Sequence, residues 1–211
     1  MTCVIFCGGR IDDYAHAEEY CKKAELVISA DSGARHCRAL DIVPDILVGD
    51  FDSIDKSDYI GLKAAGVEMI GYPAEKDMTD SELAVEIAIN RGCSRVILLG
   101  AIGSRLDHSI SNLFLLKKIH DANVEGIIAD EKNEIRLISG SIRLKRKDGV
   151  FVTLLPVAGS ASGVSTRGLY FPLEGAVLEL GSSLGVSNRF SEEEAYIEVK
   201  EGLLLVILAK E

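Results

Sequence analysis

Residues 26–34 read Leu-Val-Ile-Ser-Ala-Asp-Ser-Gly-Ala, and residues 45–53 read Asp-Ile-Leu-Val-Gly-Asp-Phe-Asp-Ser. Each is a short apolar run that breaks into carboxylate and glycine. Runs this short and this continuous suit strands covered on both faces, as in a parallel sheet. The same grammar extends outward, and strands are predicted at Val4–Phe6, Leu26–Ala30, Asp45–Gly49, Val67–Tyr72, Arg95–Gly100 and Val124–Ala129. Helical patterns lie between them. Thr79-Asp-Ser-Glu82 has the form of a capping box, followed by Leu83, Ala84, Ile87 and Ala88 at helical spacing, with Gly92 as a stop after Arg91. A second helix is predicted over His108–His120 from Ile110, Leu113, Phe114 and Leu116. Strands alternating with helices imply right-handed crossovers and an open parallel sheet.

Beyond residue 130 the pattern changes. Ile135–Ile138, Ser141–Lys145, Val150–Pro156, Ala176–Leu180, Ala195–Lys200 and Leu203–Ala209 read as strands separated by Gly-, Ser- and Asp-containing turns. No long helical period intervenes. The expected fold class is therefore α/β: an N-terminal open parallel-sheet, Rossmann-like domain over residues 1–130, then a small C-terminal antiparallel β-sandwich domain over residues 131–211.

The chemistry collects after the first-half strands. Their ends carry Asp31-Ser-Gly-Ala34, Gly49-Asp-Phe-Asp-Ser53, Lys76-Asp-Met-Thr-Asp80 and Gly100-Ala-Ile-Gly-Ser-Arg-Leu-Asp-His108. Ligands of open parallel sheets bind outside the carboxyl ends of the strands, so these carboxylates are expected to converge on one crevice. Crowded carboxylates repel, and a divalent cation is the simplest compensation. Oxygen-only ligands favour magnesium or calcium over zinc. Asp50 and Asp52, two apart, would point to one side of an extended chain. The bland alternative is that each Asp caps the following helix or turn. Gly8, Gly9, Gly33, Gly49, Gly100 and Gly103 are expected to let backbone approach a ligand, with Lys76 or Arg105 assisting at phosphates. Neither a P-loop nor a G-x-G-x-x-G fingerprint occurs. His108 is a possible acid–base group; His120 reads better as a surface residue at a helix C-terminus.

Composition excludes other classes. The formal net charge of −10, from 33 acidic and 23 basic residues, argues against a nucleic-acid binder. The basic stretch Arg143–Lys147 reads as a solvated strand face. The five cysteines, Cys3, Cys7, Cys21, Cys37 and Cys93, show no C-x-x-C and no zinc-like spacing, so reduced, mostly buried thiols are expected. The opening Met1-Thr-Cys-Val-Ile-Phe6 lacks a basic n-region, and no apolar run reaches the roughly 18 residues of a membrane span. No membrane association and a cytoplasmic location are expected.

The four strand-end motifs, with Pro44-Asp45 ahead of the second, together resemble the thiamine pyrophosphokinase family. Gly168-Leu-Tyr-Phe-Pro-Leu173 and Gly185-Val-Ser-Asn188 resemble its smaller β domain more loosely. The resemblance implies transfer of a pyrophosphoryl group from ATP to the thiamine hydroxyl with Mg2+ as cofactor. It implies magnesium at Asp50, Asp52 and Asp80, with Asp50, Asp52, Asp80, Arg105 and Asp107 in the reaction. Asp31, Lys76, Asp77, Thr79 and His108 would line the ATP site, and Ser187 and Asn188 would help to hold thiamine. It further implies a homodimer with shared active sites. Ala101 and Ser104 depart from the family loop, which often has glycine there. With no Trp in the chain, the aromatic partner of thiamine is left among Tyr170, Phe171 and Phe190. Three rival readings keep the aspartates: a pyrophosphokinase acting on a pterin alcohol, a glycosyltransferase using Asp50-Phe-Asp52 as a D-x-D pattern, and a non-catalytic nucleotide-binding protein.

Overall fold

The structure is a computed structural model described over residues 1–52 and 54–211; Ser53 of the Gly49–Ser53 motif lies outside the described residues. The chain divides into two compact units, Met1–Glu131 and Lys132–Glu211. In the first, β1 (Thr2–Phe6), β2 (Leu26–Ala30), β3 (Ile46–Gly49), β4 (Glu68–Gly71), β5 (Arg95–Leu99) and β6 (Glu125–Ala129) alternate with α-helices. These are α1 (Tyr14–Cys21), α2 (Ala34–Ala39), α3 (Lys56–Ala64), α4 (Asp80–Asn90) and α5 (Leu106–Asp121). The strands run in the order β4-β3-β2-β1-β5-β6 and every pair is parallel. The chain steps outward one way from β1 and the other way from β5. That reversal makes the β1/β5 boundary a topological switch point, where open sheets leave a crevice for ligands.

Both faces of this sheet are covered, which explains the continuous apolar runs. Val4 and Phe6 of β1, with Ile97, Leu99, Ile127 and Ala129, pack against Ala17 of α1 and Cys37 of α2. Their neighbours Ile5, Leu98 and Ile128 alternate to the opposite face and are fully buried. There α4 lies on β1, β2 and β3, and α5 lies on β6 and against α4. The Thr79 side chain accepts from the Glu82 amide (3.2 Å) as the N-cap of α4, and Arg91 and Gly92 close that helix, Gly92 with φ +77°. Helix α5 begins at Leu106, two residues before the predicted start, with Asp107 in a first turn that favours negative charge.

The second unit is antiparallel throughout: β7 (Asn133–Ile138), β8 (Ser141–Lys145), β9 (Val150–Arg167), β10 (Ala176–Leu178), β11 (Asn188–Arg189), β12 (Glu194–Glu198) and β13 (Glu201–Lys210). Strand β13 lies between β7 and β9, while β12 lies between β8 and the far end of β9. The predicted Val150–Pro156 strand is thus only the first part of β9, which continues to Arg167. Ala158 (φ +63°) and Gly159 (φ +112°) turn the strand, so residues 150–157 pair with β13 and residues 165–167 with β12. A strand that bends from one layer to another is how a sandwich makes its corner. The layers meet through Val152, Leu154, Val164, Leu178, Ile197, Leu204 and Val206, all buried. Burying each large apolar side chain contributes about 1.5–3 kcal/mol.

Candidate active site

At the carboxyl ends of β1–β5, loops line a cavity of about 700 Å³. It draws Gly8–Arg10 from after β1, Asp31, Ser32 and Arg35 from after β2, and Asp50 from after β3. Lys76 and Met78–Ser81 come from after β4, and Gly100, Gly103–Arg105 and His108 from after β5. A ligand-sized cavity lined by converging polar groups is the default location of an active site.

Local backbone geometry sets the carboxylates. Asp31 (φ +45°) and Phe51 (φ +64°) both adopt left-handed conformations. Aspartate tolerates this region; a bulky aromatic rarely does, and such residues collect at functional sites. Phe51 packs against the small core of Ala34, Leu47 and Val67, and its ring stands 5.5 Å from the Tyr59 ring. Gly71 leaves room for it, since a Cβ there would lie 3.2 Å from Phe51 Cε2. With Phe51 anchored, the Asp52 amide donates to Asp50 Oδ1 at 3.1 Å. The expectation of an extended Asp50–Asp52 segment is therefore replaced by a turn, yet the pair still meets. Carboxylate oxygens of Asp31, Asp50 and Asp52 all lie within 4.8 Å of one another.

Asp80 is beside this cluster with a different partner. A Cβ on Gly49 would stand 3.0 Å from Asp31 Cβ and 3.4 Å from Asp80 Oδ1, so both carboxylates flank the end of β3. Lys76 Nζ is 2.7 Å from the same Asp80 oxygen, and the Lys76 side chain is only 14% exposed. Thr79 lines the cavity, whereas Asp77 is exposed and outside its lining. Arg105 and Asp107 are 69% and 64% exposed and paired at 2.6 Å. That guanidinium, helped by the His108 amide, holds the Asp107 carboxyl down at about 2. Arg105 and the exposed His108 line the cavity, and Asp107, outside that lining, is paired to Arg105.

Gly8, Gly9, Gly100 and Gly103 line the cavity, and several of the glycines also pack loop against loop. A Cβ on Gly9 would lie 2.3 Å from Gly100 O, one on Gly33 2.1 Å from Phe6 O, and one on Gly8 2.3 Å from Ser32 Oγ. They let loop approach loop. Two buried residues absent from the sequence reading complete the framework. Asn112 Nδ2 donates to Ala101 O at 2.8 Å, and Ser109 Oγ accepts from the Gly103 amide at 3.0 Å. Their signal was a polar pair three residues apart on an otherwise apolar helix face. Cys3, Cys7, Cys37 and Cys93 are buried free thiols; burial pushes Cys7 up to about 11 and Cys37 up to about 12.

In the second unit, Asn188 is occupied by backbone. Its Oδ1 accepts from the Phe171 amide (3.0 Å) and its Nδ2 donates to Phe171 O (2.7 Å). Ser187 (φ +59°) is exposed and donates its amide to Thr153 Oγ1 at 3.0 Å. Asn188 thereby presents Tyr170 and Phe171, both exposed, in an edge-on pair with centroids 4.8 Å apart. The Arg189 guanidinium lies 4.2 Å from the Tyr170 centroid. Phe190 packs against the core of this unit.

Comparison with known proteins bears on both units. The profile described as thiamin pyrophosphokinase, catalytic domain, matches residues 17–128, and that described as thiamin pyrophosphokinase, vitamin B1 binding domain, matches residues 140–204. The thiamine pyrophosphokinase of Bacillus subtilis is 26% identical over 208 residues, covering 98% of this chain and 97% of that protein. Its crystal structure superposes with a TM-score of 0.90 at 24% identity, covering all of both chains. The thiamin pyrophosphokinase of Geobacillus thermodenitrificans superposes with a TM-score of 0.85 at 27% identity, covering 100% of this chain and 98% of that one. With its acidic crevice at the switch point and both profiles matched along its length, the chain belongs to the thiamin pyrophosphokinase family.

Proposed function

We propose that the chain transfers a pyrophosphoryl group from ATP to the hydroxyl of thiamine, giving thiamine diphosphate and AMP. The observation that carries this reading is the Asp31–Asp50–Asp52 cluster beside a cavity at the switch point of a parallel sheet. The match of residues 140–204 to a vitamin B1 binding domain favours thiamine over a pterin alcohol as acceptor.

The donor set fits magnesium. It is oxygen-only, and its carboxylate oxygens lie within 4.8 Å of one another, near enough to share one ion with bonds of about 2.0–2.1 Å. Asp50 and Asp52 would hold the ion, with Asp31 and Asp80 beside them. When bound, it would neutralise phosphate charge and polarise the transferred group. The protein's own contribution is position and charge. Among the cations that line the cavity, Lys76 and Arg105 would meet phosphate oxygens, with His108 in the same lining. The thiamine oxygen attacks the β-phosphorus, the bond to the bridging oxygen breaks, and AMP leaves carrying that oxygen. The hydroxyl proton passes to a carboxylate of the Asp31–Asp80 group. Asp107, held near 2 by Arg105, is too weak a base to take it at neutral pH. Its part is to orient Arg105.

Thiamine recognition is assigned to Tyr170 and Phe171, with Asn188 and Ser187 shaping the segment. Asn188→Ala removes both clamps on Phe171. The KM for thiamine is then expected to rise about tenfold, from loss of roughly 1–3 kcal/mol of hydrogen bonding, with the KM for ATP within twofold. An unchanged thiamine KM contradicts the assignment. A homodimer is supported by the exposed Tyr170, Phe171, Val177, Leu180, Leu184 and Val186, a set of large apolar side chains in one small unit. Among the described residues no helix is long and apolar enough to cross a membrane; a cytoplasmic location is part of the proposal.

The reaction is tested by AMP release from ATP and magnesium, with and without thiamine, and with a pterin alcohol as control acceptor. Thiamine-dependent AMP is expected. AMP that requires the pterin alcohol instead, or no AMP from folded protein that binds ATP, overturns the reading.

A further inference from the structure

Beneath the glycine turn that follows β1 lies a group of side chains without a part in the chemistry above. His36, on α2, is 2% exposed. Its Nε2 is 2.8 Å from Gly9 O and its Nδ1 is 2.8 Å from the Tyr14 hydroxyl. A carbonyl oxygen can only accept, so Nε2 carries the proton and Nδ1 accepts from the phenol. The partners thus select one neutral tautomer, and burial lowers the pKa in the same direction. Arg35 Nη2 donates to Gly8 O (2.5 Å) and to Gly9 O (2.9 Å). Both carbonyls of the turn are held from α2.

That hold has a consequence on the other side of the turn. In a trans peptide the N–H points opposite to the preceding C=O. Fixing Gly8 O and Gly9 O therefore fixes the amides of Gly9 and Arg10. The first donates to Gly100 O at 2.8 Å, tying the turn to the loop after β5. The second belongs to a residue that lines the cavity, beside Gly103. Merely satisfying two carbonyls would need only water at this surface. A buried imidazole with a set tautomer, a phenol and a guanidinium is a more demanding construction, and it sits behind one short turn.

We propose that His36, oriented by Tyr14 and assisted by Arg35, is a positioning residue for the nucleotide, holding the Gly8–Arg10 turn so that its cavity side receives the ATP phosphates. The inference rests on ATP being the donor substrate, as proposed above. It is tested in the full chain with His36→Leu, His36→Gln and Tyr14→Phe, reading the Kd for ATP with magnesium by calorimetry, both KM values, and Tm. His36→Leu is expected to raise the Kd and KM for ATP about tenfold with the thiamine KM within twofold. His36→Gln keeps a donor near the Nε2 position and is expected to recover most of that loss. Tyr14→Phe is expected to raise the ATP constants about threefold. Parallel rises in both KM values with a lowered Tm, or ATP constants within twofold of wild type in His36→Leu, overturn the inference. Should His36→Leu not fold, Tyr14→Phe decides: a selective rise in the ATP constants supports the inference, and none overturns it. Calorimetry separates this from the reaction itself, because wild type that binds ATP without transferring to thiamine refutes only the reaction. Wild type that binds no ATP refutes both.

Discussion

Asp50→Asn is expected to lower kcat by about 10²–10³-fold while leaving the fold and Tm essentially intact, because it deletes charge without deleting shape. Loss of one group that stabilises developing charge typically costs turnover on that scale. Asparagine keeps the Oδ1 that accepts the Asp52 amide at 3.1 Å, so the turn through Phe51 keeps its closing bond. The substitution also relieves repulsion among carboxylates within 4.8 Å of one another. Without metal the variant should therefore be no less stable than wild type. Stabilisation of wild type by magnesium and ATP, which follows mass action, should shrink in the variant. Turnover, Tm without metal and the ligand-induced Tm shift check the three parts. Normal turnover would remove Asp50 from the metal site.

Gly33→Ala is expected to lower Tm by about 5–10 °C and to weaken ATP binding, from a packing cost of about 2–3 kcal/mol. The backbone at Gly33 is ordinary (φ −58°), so strain in the dihedral is not the cause. The added Cβ would stand 2.1 Å from Phe6 O and 2.8 Å from Phe6 C, both main-chain atoms of β1 that cannot swing aside. The Asp31–Gly33 turn would have to lift from the sheet, carrying Asp31 and Arg35 away from the cavity. Gly61→Ala is the matched control. It lies within α3 with nothing within 4 Å of its added Cβ, and should be neutral or stabilising by about 0.5–1 kcal/mol. Differential scanning calorimetry of the two variants, with and without ATP, reads both effects.

Much of this architecture was legible in residues 1–129, and the reason is physical. Strands buried on both faces must be apolar along their whole length, so Val4–Phe6, Leu26–Ala30 and Arg95–Leu99 announce themselves. A capped helix leaves Thr79 and Glu82 at fixed spacing, and Gly92 at its far end. Convergence of the aspartates follows from topology once the strands are placed. What stayed hidden depends on single dihedrals or on contacts far apart in sequence. The left-handed Phe51 brings Asp50 to Asp52 through a turn, which no periodicity encodes. Asp45, predicted as the first residue of β3, lies just before it and accepts the Val27 amide on its carboxylate at 2.8 Å. The clamp of Asn188 on Phe171 spans 17 residues, and that of His36 on Gly9 spans 27. The length of β9 was concealed by the turn at Ala158 and Gly159, which reads locally as the end of a strand.

The measurement that bears most directly on the proposed reaction follows the label from ATP carrying 32P at the β-phosphorus, incubated with magnesium and thiamine. Attack at the β-phosphorus should place the label in thiamine diphosphate and leave AMP unlabelled. Label retained in ADP, with thiamine monophosphate as product, would show attack at the γ-phosphorus and contradict pyrophosphoryl transfer.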